Sequence, residues 1–276
     1  MTTASATTGP TGRAGTARAL TFPRVLRSEW LKLKTLRSTW ITLFAAVVIL
    51  VLAAGLIANH VHDDLVRGAQ FTDPEDRDLL TVPLRGFGVA QLVMGVLGVL
   101  SITGEYATGT IRASFTAVPT RLPVLAAKVL VFALLGFMTM LAGVLAAFFV
   151  GQGLLGSYGL SLGAQHALRV VIALAGYLTL VGLLGLGLGT LVRSTAGGIA
   201  SLVGLLLVAP GILAALGTSW ATSISHYLPL NAGQAMFSDL APRNGDLGPT
   251  GGLLTLLAWV AAGLVGSAVV VSRRDA

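Results

Sequence analysis

The sequence contains no cysteine, and charged residues make up only 11% of its 276 residues. Without cysteine the chain can form neither disulfides nor thiolate-based catalytic or metal sites. A soluble domain usually carries about a quarter charged residues. Charge this sparse cannot solubilise a chain in which 54% of the residues are hydrophobic, and the mean hydropathy is +0.84. The sequence therefore predicts an integral membrane protein.

Lysine is also scarce, which bears on nucleotide binding. The only lysines are Lys32, Lys34 and Lys128, and none follows a glycine. A P-loop needs G-x-x-x-x-G-K-[ST], because its lysine must reach the β- and γ-phosphates. A G-x-G-x-x-G match at 151–156 has no βαβ unit around it, so it does not predict a dinucleotide site. The chain is thus not expected to bind or hydrolyse ATP by itself.

Ionisable groups are nearly absent from the apolar runs, which disfavours an intramembrane enzyme or a transporter coupled to an ion at mid-membrane. His60, His62 and Asp64 would point to one side of an extended segment and could then hold a metal. A solvated loop is the alternative that we favour at this point. No catalytic residue and no metal ligand is predicted.

Six apolar runs are long enough for helices that cross a hydrocarbon core about 30 Å thick. They cover residues 39–58, 86–103, 124–150, 170–191, 197–216 and 253–271. We expect an all-α integral membrane protein with a six-helix transmembrane domain over 39–271. The flanking residues 1–21 and 272–276 are predicted to be cytoplasmic tails, the first of them disordered. Small residues four apart, as in 185–189, are expected to let helix backbones approach closely.

Residues 22–38 have the pattern of an amphipathic helix at the membrane surface. On a helical wheel one arc collects the apolar side chains Phe22, Val25, Leu26, Trp30, Leu33 and Leu36. The basic residues Arg24, Arg27, Lys32 and Lys34 lie outside this arc. Glu29 intrudes on the apolar face, where it could pair with Lys32 one turn away or contact a partner protein.

The distribution of charge predicts the orientation. With both ends of the chain in the cytoplasm, 13 of the 18 Lys and Arg residues face inward and 5 face outward. Eight of the 11 acidic residues face outward, six of them in the 59–85 loop. Lys and Arg are enriched on the cytoplasmic side of membrane proteins, so the opposite orientation is disfavoured.

The link between the second and third spans is the densest polar signal in the chain. It begins with Glu105-Tyr106-Ala107-Thr108-Gly109-Thr110-Ile111-Arg112 and continues to Val118-Pro119-Thr120-Arg121. Gly109 allows a tight turn, Thr110 can cap a helix, and Pro119 ends it. A short helix here could pass a push from a soluble partner to the spans. An ordinary polar loop whose arginines only fix topology is the alternative.

Three stretches resemble the ABC-2 type permeases, the membrane-spanning subunits of bacterial ABC transporters. The stretches are Arg27-Ser28-Glu29-Trp30-Leu31-Lys32-Leu33-Lys34, the E-Y-x-T-G-T-I-R…V-P-x-R…A-K segment from Glu105 to Lys128, and Leu228-Pro229-Leu230-Asn231-Ala232-Gly233-Gln234. The resemblance implies an export permease of the cell membrane that works as a homodimer or heterodimer. It also implies a separate ATP-binding cassette subunit, which would bind the ATP, so this chain needs no cofactor. Neither the family nor the charge pattern points to nucleic acid as a partner.

The resemblance also implies roles for particular residues. Contact with the cassette would fall to the coupling segment Glu105, Tyr106, Gly109, Thr110, Arg112, Pro119 and Arg121. Beside it would lie the interface-helix residues Arg27, Glu29, Trp30, Lys32 and Lys34. The segment before the last span carries His226, Tyr227, Pro229, Asn231 and Gln234. Residues 217–252 could fold back into the membrane from outside or form a loop. The competing hypothesis for the whole chain is a polytopic scaffold or regulator that transports nothing.

Overall fold

The computed structural model describes residues 21–68, 78–108, 122–240, 242 and 245–273. Within these residues the secondary structure is helical, and no strand occurs there. The helices are α1 (Phe22–Thr35), α2 (Arg37–Val66), α3 (Phe87–Thr108), α4 (Leu122–Leu154), α5 (Ala167–Val192), α6 (Thr195–Leu216), α7 (Ser219–Ser225), α8 (Pro229–Phe237) and α9 (Pro249–Arg273). Six of them are long and apolar enough to cross a membrane. The predicted all-α, six-span fold class is confirmed.

Each long helix covers one of the six apolar runs, apart from the first residue of the run 86–103, and extends beyond it at one end or both. A membrane is about 40–45 Å thick with its headgroup layers, so a helix continues after the apolar stretch ends. Because α2 continues to Val66, His60 and His62 lie on a helix, where residues two apart point roughly 200° away from each other. The one-sided arrangement that an extended segment would give is therefore wrong. The described residues contain no cluster of three side chains suited to a metal.

Helix α1 has a proline in its first turn, where the missing N–H costs no hydrogen bond. It buries Val25, Glu29 and Leu33, which lie at four-residue spacing on one face. The helix ends at Thr35, because Leu36 has an extended backbone, and α2 begins at Arg37. The amphipathic helix is thus shorter than the predicted 22–38 segment, and its buried face packs on α4.

Helix α5 occupies the centre of the bundle and packs against α3, α4, α6, α8 and α9. Its glycines allow the closest approach. A Cβ built on Gly98 of α3 would lie 1.9 Å from the Gly182 carbonyl oxygen, and one on Gly185 would lie 2.2 Å from that of Gly95. The close backbone approach predicted for residues 185–189 is therefore present, with α3 as the partner helix.

Helices α7 and α8 are joined by a short turn; α8 packs against the spans α5 and α9, and α7 packs against the end of α6. We call α7, the turn and α8 the hairpin. The Trp259 indole of α9 donates a hydrogen bond of 2.8 Å to the Tyr227 carbonyl in the turn between them. The Tyr177 ring of α5 packs so closely on Gly233 that no side chain would fit there. Trp259 and Tyr177 are each ten residues beyond the first residue of their helix, or about 15 Å along its axis. Part of 217–252 therefore lies beside the spans α5 and α9, and its re-entry into the membrane from outside stays a prediction.

Candidate functional site at the α1 face

One end of the bundle brings together segments that are far apart in the sequence. We call it the α1 face. It comprises α1, the last two turns of α3, the first two turns of α4, the turn between α5 and α6, and the end of α9. The hairpin of α7 and α8 lies at the opposite end, the hairpin face.

Four ionised side chains form a closed ring at the α1 face. Lys32 Nζ lies 2.5 Å from Glu29 Oε1 and 3.3 Å from Glu105 Oε1. Lys128 Nζ lies 2.9 Å from Glu29 Oε2 and 2.7 Å from Glu105 Oε1. Each ion therefore contacts both ions of opposite sign, and the ring is electrically neutral. We call Glu29, Lys32, Glu105 and Lys128 the ion ring.

The ion ring is buried mainly on the side of Glu29 and Lys128. Their side chains are 2% and 3% exposed, compared with 15% for Glu105 and 35% for Lys32. Lys128 Nζ also lies 3.4 Å from the Ser101 carbonyl oxygen. Its ammonium group thus lies near three oxygens and donates hydrogen bonds to those of Glu105 and Ser101. A buried ammonium needs such partners, because an unpaired charge in the interior is strongly unfavourable.

The ion ring shifts the pKa values of its two members on α1, Glu29 and Lys32. Burial by itself would raise the pKa of Glu29, but the charges of Lys128 and Lys32 outweigh it and hold that pKa below its ordinary value. Burial would lower the pKa of Lys32, but its hydrogen bond to Glu29 and the charge of Glu105 raise it. Both groups are therefore ionised across the neutral pH range.

Apolar contacts complete the attachment of α1. Val25 packs with Val124 and Ala127 of α4 in a small buried cluster that Leu26 flanks. Leu33 joins the main core of the bundle. The same face of α1 therefore carries an apolar contact at each end and the ion ring between them.

A second polar contact ties α3 to the far side of the α1 face. The Arg193 guanidinium lies 5.4 Å from the centroid of the Tyr106 ring, within the range of a cation–π interaction. Arg193 caps the end of α5 in a left-handed conformation (φ 56°), and its Nη2 lies 3.5 Å from the Val270 carbonyl of α9. Tyr106 is thus linked to both the α5–α6 turn and α9.

Apart from Tyr106, whose ring contacts Arg193, the predicted coupling and interface residues divide into three groups. Glu29, Lys32 and Glu105 turn toward one another and toward Lys128, so the intrahelical pairing of Glu29 with Lys32 is present. Arg27, Trp30 and Lys34 are exposed on α1. The remaining residues, Gly109, Thr110, Arg112, Pro119 and Arg121, lie outside the described residues.

The predicted residues of the segment before the last span lie at the hairpin face. Pro229 begins α8, and the Asn231 amide donates to the Ser225 carbonyl across the hairpin at 2.8 Å. His226 Nδ1 lies 3.1 Å from Asp246 Oδ1. A cavity of about 590 Å³ opens here, and its lining includes His226, Asn231 and Gln234. These residues are separate from the α1 face.

Sequence reasoning did not select Lys128 or Arg193 as site residues. A lysine six residues into an apolar helix is a signal in itself, because such a charge must find a partner. Glu29 is the corresponding signal on α1, because it is an acidic residue on the apolar face of that helix and also needs a partner. The pairing could not be read from the sequence, because 99 residues separate the two side chains.

Six helices long and apolar enough to cross a membrane, with a buried ion ring at one end, define a polytopic membrane protein. The family model described as "ABC-2 family transporter protein" matches residues 25–209, which is more than half of the chain. The chain therefore belongs to the ABC-2 transporter family, and it is a membrane-transport component that is not itself catalytic. A search of curated proteins found no match. The matched range runs from α1 into α6 and ends before the hairpin.

Proposed function

We propose that the chain is the permease subunit of an ABC transporter and exports a substrate across the cell membrane. The energy comes from ATP hydrolysis on a separate ATP-binding cassette subunit. Membership of the ABC-2 family supports the permease role. The absence of a P-loop from the full sequence supports a separate motor, because this chain has no lysine placed to hold a nucleotide phosphate.

The α1 face is proposed to lie in the cytoplasm, together with both chain termini. This orientation gives the cytoplasmic side 13 of the 18 basic residues, as the positive-inside rule requires. It also places the hairpin face and its cavity outside. The substrate would then leave on the side where the hairpin lies.

The α1 face is proposed to receive the motion of the cassette subunit. Arg27, Trp30 and Lys34 are exposed on α1 and would contact that subunit, along with the 109–121 link. Since the ion ring joins α1 to α3 and α4, a displacement of α1 would be passed to two spans at once. Closure of the cassettes around ATP would in this way open the pathway toward the hairpin face.

The pathway is proposed to form between two permease chains, either two copies of this one or this one and a second permease. In the described part of a single chain the central position is filled by α5, whose spanning stretch is 83% buried. A route for substrate through the centre of one bundle would have to displace that helix. A pathway at a subunit interface needs no such rearrangement.

The experiment is to purify the chain with its cassette subunit and measure ATPase activity in lipid vesicles. The complex should form and should hydrolyse ATP. Charge reversal by Glu105→Lys should impair coupling, whereas Asp64→Lys at the hairpin face is the control and should leave activity near the native level. If Glu105→Lys leaves assembly and ATP-dependent transport unchanged, the coupling role of this segment is wrong.

The direction of transport is tested in cells that lack the permease and its cassette subunit. Mass spectrometry of cell extracts and medium should show at least one compound retained in the cells and depleted from the medium. Depletion of a compound from the cells would indicate import and contradict the proposed direction.

A further inference from the structure

Lys128 is a buried charged residue, and its charge is not needed to fill the space that it occupies. Its side chain is 3% exposed, yet it lies in a helix whose other residues are almost all apolar. Replacing buried ion pairs by apolar side chains of similar volume is often neutral or stabilising. The ions of the ring could therefore be replaced together by apolar side chains if this site only filled space. The charge of Lys128 points to a role in fixing the relative positions of the helices that it contacts.

The arrangement that Lys128 fixes is the position of α1 relative to two spans. Its ammonium group contacts Glu29 of α1 on one side and Glu105 and the Ser101 carbonyl of α3 on the other. Lys128 itself belongs to α4. The three elements thus meet at one nitrogen atom, and both carboxylates turn away from the surface toward it.

We infer that Lys128 is a positioning residue that locks α1, the end of α3 and the start of α4 into one mechanical unit. The apolar contacts of Val25 and Leu33 allow α1 to slide or rotate, because such contacts have little directional preference. The ion ring opposes this, since moving α1 along its axis by one turn, about 5.4 Å, would break the contacts of Glu29 with Lys128 and of Lys32 with Glu105. Each ion would then keep one partner instead of two. The inference rests on the proposed function for its purpose, namely transmission of motion from α1 to the spans.

The lock can be tested on the permease alone, because the chain has no cysteine to remove. Spin labels would be attached at Leu31→Cys on α1 and Phe149→Cys on α4, where both native side chains are exposed. The two labels are well separated, because Glu29 of α1 contacts Lys128 and residues 128 and 149 are about 31 Å apart along the axis of α4. Pulsed electron resonance then measures the distribution of distances between α1 and α4.

The expected result is a single narrow distance distribution in the otherwise native sequence and a broadened or shifted one in Lys128→Met. Lys34→Met is the matched control, because Lys34 is exposed on α1 and lies outside the ion ring; it should keep the narrow distribution. If Lys128→Met does not fold, Glu29→Gln removes the charge of the α1 partner with little change in volume and should broaden the distribution too. A distribution that stays narrow in the folded ring variants overturns the inference.

The positioning role is separated from a purely structural one in the complex with the cassette subunit. Labels at Val89→Cys on α3 and Leu254→Cys on α9, both exposed near the hairpin face, report movement of the spans on trapping with ADP and vanadate. In Lys128→Met the complex should assemble and hydrolyse ATP, but the shift in this distance should be lost. A shift of native size in Lys128→Met overturns the positioning role. If the native complex shows no shift on trapping, the proposed function fails, whereas the α1–α4 distances still decide the lock.

Discussion

The ion ring makes a quantitative prediction about stability, because its members are coupled. Glu29→Gln leaves Lys128 buried with a single remaining carboxylate, Glu105. Removing one partner of a buried ion pair costs about 3–5 kcal/mol. Since Glu105 still contacts Lys128 at 2.7 Å, we expect the low end of this range, about 3 kcal/mol. Lys128→Met should cost a similar amount, because Glu29 would keep only the half-exposed Lys32.

The double variant Glu29→Gln/Lys128→Met should be less destabilised than the sum of the two single variants. It removes one charge of each sign and leaves Lys32 paired with Glu105 at 3.3 Å. Contacting residues in one network usually show coupling energies of roughly 0.5–3 kcal/mol, and two buried ions at 2.9 Å should lie in the upper half. The assay is equilibrium unfolding in mixed micelles, followed by tryptophan fluorescence. Additive single-variant effects, or Glu29→Gln as stable as the native protein, would contradict the predicted coupling of Glu29 and Lys128.

Three further predictions concern other parts of the structure. Gly98→Ala should destabilise the bundle by about 1–3 kcal/mol, because its Cβ would meet the Gly182 carbonyl oxygen at 1.9 Å. Gly104→Ala is the control on the same helix and should be tolerated, because its Cβ would enter open space. Thermal unfolding in detergent compares the two variants. Attachment of α1 to the bundle should be lost in acid, because the pKa of Glu29 is lowered in the folded protein. The resulting contribution to stability is present above the ordinary glutamate pKa and disappears as the pH falls through the lowered pKa. In base the raised pKa of Lys32 has the opposite effect: its contribution to stability is present below the ordinary lysine pKa and is lost as the pH rises through the raised pKa. The α1–α4 distance should therefore stay constant between the lowered pKa of Glu29 and the raised pKa of Lys32. A change in this distance near pH 7 would contradict the prediction. Trp259→Phe should loosen the α7–α8 hairpin by removing the 2.8 Å bond to the Tyr227 carbonyl, seen as faster hydrogen exchange in 219–237, and unchanged exchange there would argue against the hairpin packing.

The helical fold could be predicted because the bilayer imposes a strong length and composition requirement. Apolar runs of about 20 residues identify six spans without any knowledge of how they pack. The arc of apolar residues in 22–36 likewise identifies α1. The ends of the helices could not be read in this way, because the chain stays helical through the polar headgroup layer, as α2 does to Val66.

The candidate site could be predicted only in part, because its members come from distant segments. Glu29 and Glu105 attract attention as lone carboxylates beside apolar runs, but their common partner Lys128 is identified only by the packing of α1 on α4. The hairpin was one of two alternatives, since residues 217–252 are too polar for a span and too apolar for an obvious loop. Its position is decided by contacts such as that of Gly233 with the Tyr177 ring.

The proposed function requires a separate ATPase that acts on this chain at the α1 face. Photo-crosslinkers at Trp30→Cys and Lys34→Cys on α1, and at Gln234→Cys on the hairpin face, test it in the active complex, since all three native side chains are exposed. We expect adducts with the ATP-binding subunit from the two α1 positions and none from the hairpin position. Adducts from Gln234→Cys, or none from either α1 position while the complex still hydrolyses ATP, would contradict it.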